Sequence, residues 1–105
     1  MVLHVIYFQL KPEVDGKVME ELVRTSRSLL VKIPEVMNVR SGRSLDPKSQ
    51  WQMTLSFEVA SLEKLHIAMD SPFYLKFLEK YVKPHTMDEF SMNFELDPSK
   101  NLKYS

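Results

Sequence analysis

Apolar side chains recur at every second position at the start of the chain. A strand over Val2–Leu10 would place four of them on one face together with a histidine, namely Val2, His4, Ile6, Phe8 and Leu10. The opposite face would carry Leu3, Val5 and Tyr7. Because both faces are largely apolar, the strand needs cover on two sides, and one layer of helices supplies only one of them.

A change to three- and four-residue spacing after Pro12 predicts an amphipathic helix. Asp15 is a suitable N-cap, and the apolar stripe continues to Ile33, just before Pro34. A second strand is predicted over residues 36–43. The segment Asp46-Pro47-Lys48-Ser49 favours a turn by its side-chain chemistry.

The second half of the chain again shows two-residue alternation followed by three- and four-residue spacing of apolar residues. Alternation beginning at Trp51 predicts a third strand with one apolar face. Ser61 can cap a short helix to about Met69, and Ser71-Pro72 signals a second helix start whose apolar stripe runs to Pro84. The two stretches are interpreted as one broken helical arm. A final strand is predicted around Phe90–Leu96, where apolar and polar residues again alternate.

The resulting β-α-β-β-α-β order predicts an α+β, ferredoxin-like split βαβ fold, with a four-stranded antiparallel sheet and helices on one face. Residues 1–97 would form a single domain and residues 98–105 a polar tail. The bare face of the sheet is expected to show apolar and polar groups together, namely Leu3, Val5, Tyr7, Thr54, Ser56, Ser91 and Asn93. A homodimer whose sheets pack face to face, a dimeric α/β barrel, would cover such a patch on both subunits at once.

The overall composition excludes several classes of partner. Fourteen basic and fourteen acidic residues cancel and are scattered, so no electrostatic footprint for nucleic acid or an anionic membrane is present. The chain has no cysteine, which removes disulfides, thiolate metal sites and cysteine nucleophiles and suits a reducing compartment. No segment has the length and apolarity of a membrane span. We therefore expect a cytoplasmic protein with neither nucleic acid nor membrane as a partner.

Several short motifs together resemble the stress-responsive A/B barrel (Dabb) domain. They are His4 within Leu3–Lys11, Lys32–Val36 followed by Gly42, Phe57-Glu58 before Ser61-Leu62-Glu63, Ser71–Phe77, and the last strand around Phe94-Glu95. The resemblance runs from Val2 to Leu96 and implies a dimeric α/β barrel with a cavity between each sheet and its own helices. It implies no single reaction, because family members include plant polyketide cyclases, stress-induced oligomers and many proteins of unknown function.

The working groups of the cyclase branch do not all carry over to this chain. The resemblance maps the strand histidine of that branch onto His4, but it maps the arm histidine onto Tyr74 and the arm tyrosine onto Ala68. A further strand histidine falls at Trp51. The general base proposed for cyclisation is therefore missing, and cyclase activity is not transferred.

His4 and Tyr74 are the candidate catalytic groups. His4 should point between the sheet and the helices, where an imidazole can exchange a proton or hold a polar ligand; the alternative is a neutral core histidine satisfied by one partner. Tyr74 would offer its hydroxyl to the same pocket. The predicted ligand-binding wall is aromatic and apolar: Trp51, Met53, Phe73, Phe77 and Tyr81. The alternative is that these side chains simply fill the core.

No metal or cofactor signature accompanies this pair. The three histidines, His4, His66 and His85, lack the spacing of a metal cluster, and the chain has no glycine-rich phosphate loop. Backbone carbonyls around Leu30, Ile33 and Val36 could hold a hard cation, although the following turn usually satisfies such groups.

Two functional hypotheses remain open at this stage. One is a small-molecule-binding domain for an aromatic or polyketide-like compound, extending to a cyclase- or lyase-like enzyme. The other is a noncatalytic, stress-related or structural dimer whose cavity is filled by its own side chains. An open cavity beside His4 would favour the first hypothesis. A cavity filled by Trp51, Phe73 and Phe77 would favour the second.

Overall fold

A computed structural model describes residues 1–96, and the predicted polar tail lies outside the described residues. The elements in chain order are β1 (Val2–Leu10), α1 (Gly16–Leu30), β2 (Met37–Arg43), β3 (Met53–Val59), α2 (Leu62–Met69), α3 (Pro72–Phe77), a π-helical turn (Leu78–Val82), α4 (Lys83–His85) and β4 (Thr86–Glu95). None of these helices is both long enough and apolar enough to cross a membrane.

The four strands form one antiparallel sheet in the order β2-β3-β1-β4. The first strand is central, so its side chains meet both neighbours. His4 lies opposite Phe57 on β3 and opposite Asn93 on β4. The predicted α+β, ferredoxin-like topology is confirmed.

The core lies between the sheet and the helices. Alternate residues of β1 and β3 point into it and are almost wholly buried, as are Leu22, Leu29 and Leu30 of α1 and Tyr74 and Phe77 of α3. The N-caps behave as their chemistry predicts. The Asp15 carboxylate accepts from the Val18 amide at 2.9 Å, and the Ser61 hydroxyl accepts from the Lys64 amide at 3.2 Å.

The first helix ends three residues earlier than the apolar stripe predicts. Leu30 is its last residue, and the amides of Lys32 and Ile33 then donate to the carbonyls of Leu29 and Leu30 in tighter turns. Pro34 disfavours helical geometry in the residue before it, which explains the early end. Ile33 nevertheless remains fully buried, so its apolar character reflects core packing outside the helix.

The broken helical arm, which comprises α2, α3, the π-helical turn and α4, is here called the second arm. It continues through Pro84, where the sequence predicts that it ends. Proline has no amide hydrogen to donate, so an α-helix around it would leave a carbonyl one turn back without its partner. The chain widens into the π-helical turn, in which the Lys83 amide donates to the Leu78 carbonyl. His85 Nδ1 and Thr86 Oγ1 then donate to the carbonyls of Tyr81 and Val82, each at 2.8 Å. The arm therefore reaches His85, and β4 begins earlier than predicted.

The face of the sheet away from the helices, here called the open face, is more apolar than predicted. Ser91 and Asn93 were expected on it, but they lie opposite Ile6 and His4, on the helix side. Phe90, Met92 and Phe94 take the open face instead and are 40 to 46% exposed. The prediction that Ser91 and Asn93 lie on the open face was wrong. Alternation separates the residues of an edge strand into two faces, but it does not determine which face lies against the helices.

Candidate functional site

A cavity of about 200 Å³ lies beside His4, between the sheet and the second arm. His4 reaches it from the middle of β1 and Tyr74 from α3. Residues of β1, α2 and β4 complete its wall, and the full set is His4, Ile6, Met69, Tyr74, Glu89, Phe90 and Ser91. The Phe90 ring itself lies on the open face, stacked on Tyr7. The two side chains that the sequence pairs as candidate catalytic groups therefore line one space.

His4 is held in one orientation. It is 3% exposed, its ring lies 5.2 Å from that of Phe57, and its Nδ1 lies 2.6 Å from Asn93 Oδ1. With the amide oxygen facing the ring, Nδ1–H is the donor and Nε2 carries the lone pair. The hydrogen bond to Asn93 thereby leaves Nε2 as the group that can accept a proton or a hydrogen bond.

Tyr74 approaches the same space from α3, and its ring also meets Phe57. The two rings meet edge to face with 6.4 Å between their centroids, and Tyr74 is 3% exposed. Burial raises the pKa of Tyr74 above its ordinary value, and repulsion from the Glu89 carboxylate adds to the effect. The phenol therefore stays protonated and can donate a hydrogen bond.

One polar atom on each of His4 and Tyr74 has no hydrogen-bond partner among the described residues. Within residues 1–96, no fully buried side-chain nitrogen or oxygen lacks a hydrogen-bond partner. His4 Nε2 and the Tyr74 hydroxyl have no hydrogen bond to another described residue, so neither atom can be sealed inside the core. Both must touch accessible space, and the cavity is the space that their side chains share.

Ionisation of Tyr74 in the unfolded chain should lower the free energy of unfolding at alkaline pH. Its pKa in the folded state is above the ordinary value of about 10, so the unfolded chain loses this proton first. Stability should therefore fall as pH rises above about 10. Urea denaturation across this range should show a shallower fall for Tyr74→Phe than for the wild type. An equally steep fall in the variant would contradict the assignment.

The structure places the five side chains predicted as a ligand-binding wall outside the wall of this cavity. None of the five side chains, Trp51, Met53, Phe73, Phe77 and Tyr81, lines the cavity beside His4. Met53 and Phe77 belong to the core, and Tyr81 packs against it. Phe73 is 37% exposed, with the Lys32 ammonium 5.6 Å from its ring centroid.

Trp51 joins an aromatic cluster on the open face of the sheet. Its ring meets Phe90 edge to face at 4.7 Å, and Phe90 stacks on Tyr7 at 4.9 Å. The sequence predicts that Trp51 shares a strand face with Met53, but Trp51 precedes β3, so the alternation does not extend to it.

The sequence does not predict that Glu89, Ser91 and Asn93 lie near His4. It predicts Ser91 and Asn93 on the open face. Alternation along β4 puts them on one face together. Which face that is depends on the register against β1, and no local pattern encodes that register.

No metal site emerges near this cavity. Across residues 1–96, no three histidine or acidic side chains are grouped so that they could hold a metal ion. At the end of α1, the carbonyls of Leu30 and Ile33 accept from the amides of Ile33 and Val36, each at 3.1 Å, as expected of an ordinary turn.

A family model, the stress responsive A/B barrel domain (Dabb), matches residues 2–96. The chain belongs to the Dabb family. A search of curated proteins finds no match.

Solved structures share this Dabb fold at low sequence identity. A Dabb family protein with a ferredoxin-like fold from Mesorhizobium loti is 18% identical with a TM-score of 0.78, over 90% of this chain and 95% of that one. A dimeric ferredoxin-like protein of unknown function from Thermobifida fusca is 18% identical with a TM-score of 0.80, over 90% of each chain. The hydroxynitrile lyase from Passiflora edulis is 16% identical with a TM-score of 0.78, over 95% of this chain and 96% of that one. At these identities the likeness concerns the fold alone.

Proposed function

We propose that this Dabb chain is a homodimeric small-molecule-binding domain whose ligand site is the cavity between His4 and Tyr74. The observation that carries the proposal is that His4 and Tyr74 line one cavity, while His4 Nε2 and the Tyr74 hydroxyl form no hydrogen bond to another described residue. One is an acceptor and the other a donor, which is the pairing that orients a ligand bearing a hydroxyl or carbonyl group.

The size of the cavity supports a small ligand. A cavity of roughly 150 Å³ is enough for a benzene-sized molecule, and this one measures about 200 Å³. The alternative, a structural dimer with a filled cavity, requires Trp51, Phe73 and Phe77 to occupy the space beside His4. None of them lines it. A reducing compartment such as the cytoplasm suits a chain without cysteine.

Benzyl alcohol, a small uncharged aromatic probe, tests the binding site directly. We expect saturable binding in a calorimetric titration and a raised melting temperature. His4→Ala and Tyr74→Phe should each weaken binding about tenfold, the effect of one lost hydrogen bond of ~1.4 kcal/mol, with circular dichroism unchanged.

Two matched variants serve as controls. His66→Ala removes an exposed histidine from α2, and Tyr81→Phe removes a hydroxyl that does not line the cavity. Both should bind the probe like the wild type. Binding that survives His4→Ala and Tyr74→Phe unchanged would contradict the site.

A lyase-like reaction is a second candidate, favoured by a base and a hydrogen-bond donor that line the same cavity. His4 Nε2 could take the hydroxyl proton of a cyanohydrin as the bond to the nitrile carbon breaks, with Tyr74 donating to the oxygen. The products would be an aldehyde and cyanide, which receives the proton from His4. Mandelonitrile is a suitable probe, because benzaldehyde release is followed by absorbance. Cleavage above the uncatalysed rate that disappears in His4→Ala would establish the activity, and equal rates in the two proteins would exclude it for this substrate.

A further inference from the structure

The residues that line the cavity include an acidic side chain and no basic one from lysine or arginine. Glu89 contributes a carboxylate, whereas no lysine or arginine side chain lines the space. Glu89 also forms no salt bridge with another described residue, so its charge is not offset locally. It projects from β4 on the same side of the sheet as His4, opposite Phe8. The negative charge therefore lies on the side of the sheet that carries the ligand space, on an exposed side chain.

A ligand carboxylate would be disfavoured in this space for two reasons. Its charge would lose part of its hydration against Ile6 and Met69, and no lysine or arginine lines the space to compensate for that loss. It would also be repelled by Glu89. The same carboxylate already adds to the raised pKa of the Tyr74 phenol, so its field reaches the group that would contact the ligand.

A ligand hydroxyl group, in contrast to a carboxylate, is favoured in this space. His4 Nε2, the Glu89 carboxylate and the Ser91 hydroxyl can all accept a hydrogen bond from it, while the Tyr74 hydroxyl can donate one to it. A neutral ligand also enters the apolar part of the wall without the desolvation cost of an ion. The wall therefore suits an uncharged molecule with a hydroxyl group on a small apolar body.

We propose that this cavity takes uncharged, hydroxyl-bearing ligands and excludes carboxylates, and that Glu89 is the residue that sets this charge selectivity. The proposal rests on the function proposed above, because it concerns the ligand class of the same site. It adds a residue outside the His4 and Tyr74 pair and predicts which of two ligands of equal size binds.

Benzyl alcohol and benzoate form the matched pair of probes, since they differ mainly in the charge of one group. Calorimetric titration at pH 7 and low salt should give at least fivefold tighter binding of benzyl alcohol to the wild type. Glu89→Gln keeps the side-chain shape and removes the charge. It should tighten benzoate binding by up to about fivefold, as expected when the repulsion of one exposed like charge is removed, and leave benzyl alcohol within twofold. Salt at about 1 M should reduce the wild-type preference by screening.

Glu95→Gln is the control, because it removes the same charge six residues further along β4, outside the cavity wall. It should leave both affinities unchanged. Equal wild-type affinity for the two probes, or an unchanged preference in Glu89→Gln, would overturn the selectivity proposal while leaving the binding site in place. Failure of both probes to bind the wild type would overturn the binding function, and the selectivity proposal with it.

Discussion

Val5→Glu should convert the protein from a dimer to a folded monomer. Val5 is half-buried at the middle of the open face, opposite Ser56 on β3 and Met92 on β4. In a face-to-face dimer this position would be enclosed by the partner's sheet, where an unpaired carboxylate costs several kcal/mol. The dissociation constant should rise at least about a thousandfold, corresponding to ~4 kcal/mol.

The fold of each subunit should survive this substitution, because Val5 points away from the core between the sheet and the helices. Sedimentation equilibrium measures the change in mass, and circular dichroism reports the fold. Val5→Thr is the matched control: it keeps the β-branched shape and adds no charge, so it should remain dimeric. A wild-type protein that is monomeric at micromolar concentration, or a Val5→Glu protein that remains dimeric, would contradict the face-to-face model.

The support for this dimer is stronger in the structure than in the sequence, and the reason lies in β4. The sequence predicts an open face on which Ser91 and Asn93 dilute the apolar residues of β1. The register of β4 places Phe90 and Phe94 there instead, so both strands contribute apolar side chains. An apolar patch of this kind on a small domain is typical of an interaction surface.

The fold could be predicted because its signals are local. The two-faced pattern of β1, the caps at Asp15 and Ser61, and the breaks near Pro34 and Pro72 each depend on residues a few positions apart. Together they fix the order of elements. Ferredoxin-like topology follows from that order with short connections.

The site could be predicted only in part. His4 follows from strand parity, and Tyr74 from the family resemblance. The wall of the cavity depends on how β4 pairs with β1, a contact between residues about 90 positions apart, such as His4 and Asn93. Helical spacing also does not show which aromatic residues belong to the core and which lie outside it. Phe77 and Phe73 lie four positions apart on the same arm, yet the first is buried and the second is exposed.

Phe77→Ala should produce the largest loss of stability among the aromatic substitutions on the second arm. Its side chain is fully buried, and its ring meets that of Phe8 edge to face at 6.5 Å between centroids. Removing the ring loses its burial and leaves a void that the rigid sheet cannot close. We expect the free energy of unfolding to fall by about 3 to 5 kcal/mol. A small domain has only roughly 5 to 15 kcal/mol in total, so the variant should be close to unfolding at room temperature.

Phe73→Ala is the matched control, since it deletes the same ring four residues earlier on the arm. Phe73 is 37% exposed, and its cation–π contact with Lys32 lies at the surface. Its loss should cost no more than about 1 kcal/mol. Urea denaturation of the two variants measures both values. Equal losses would mean that the two rings are equally packed, contrary to the arrangement in which Phe77 anchors the arm to β1 and Phe73 covers only its outer surface.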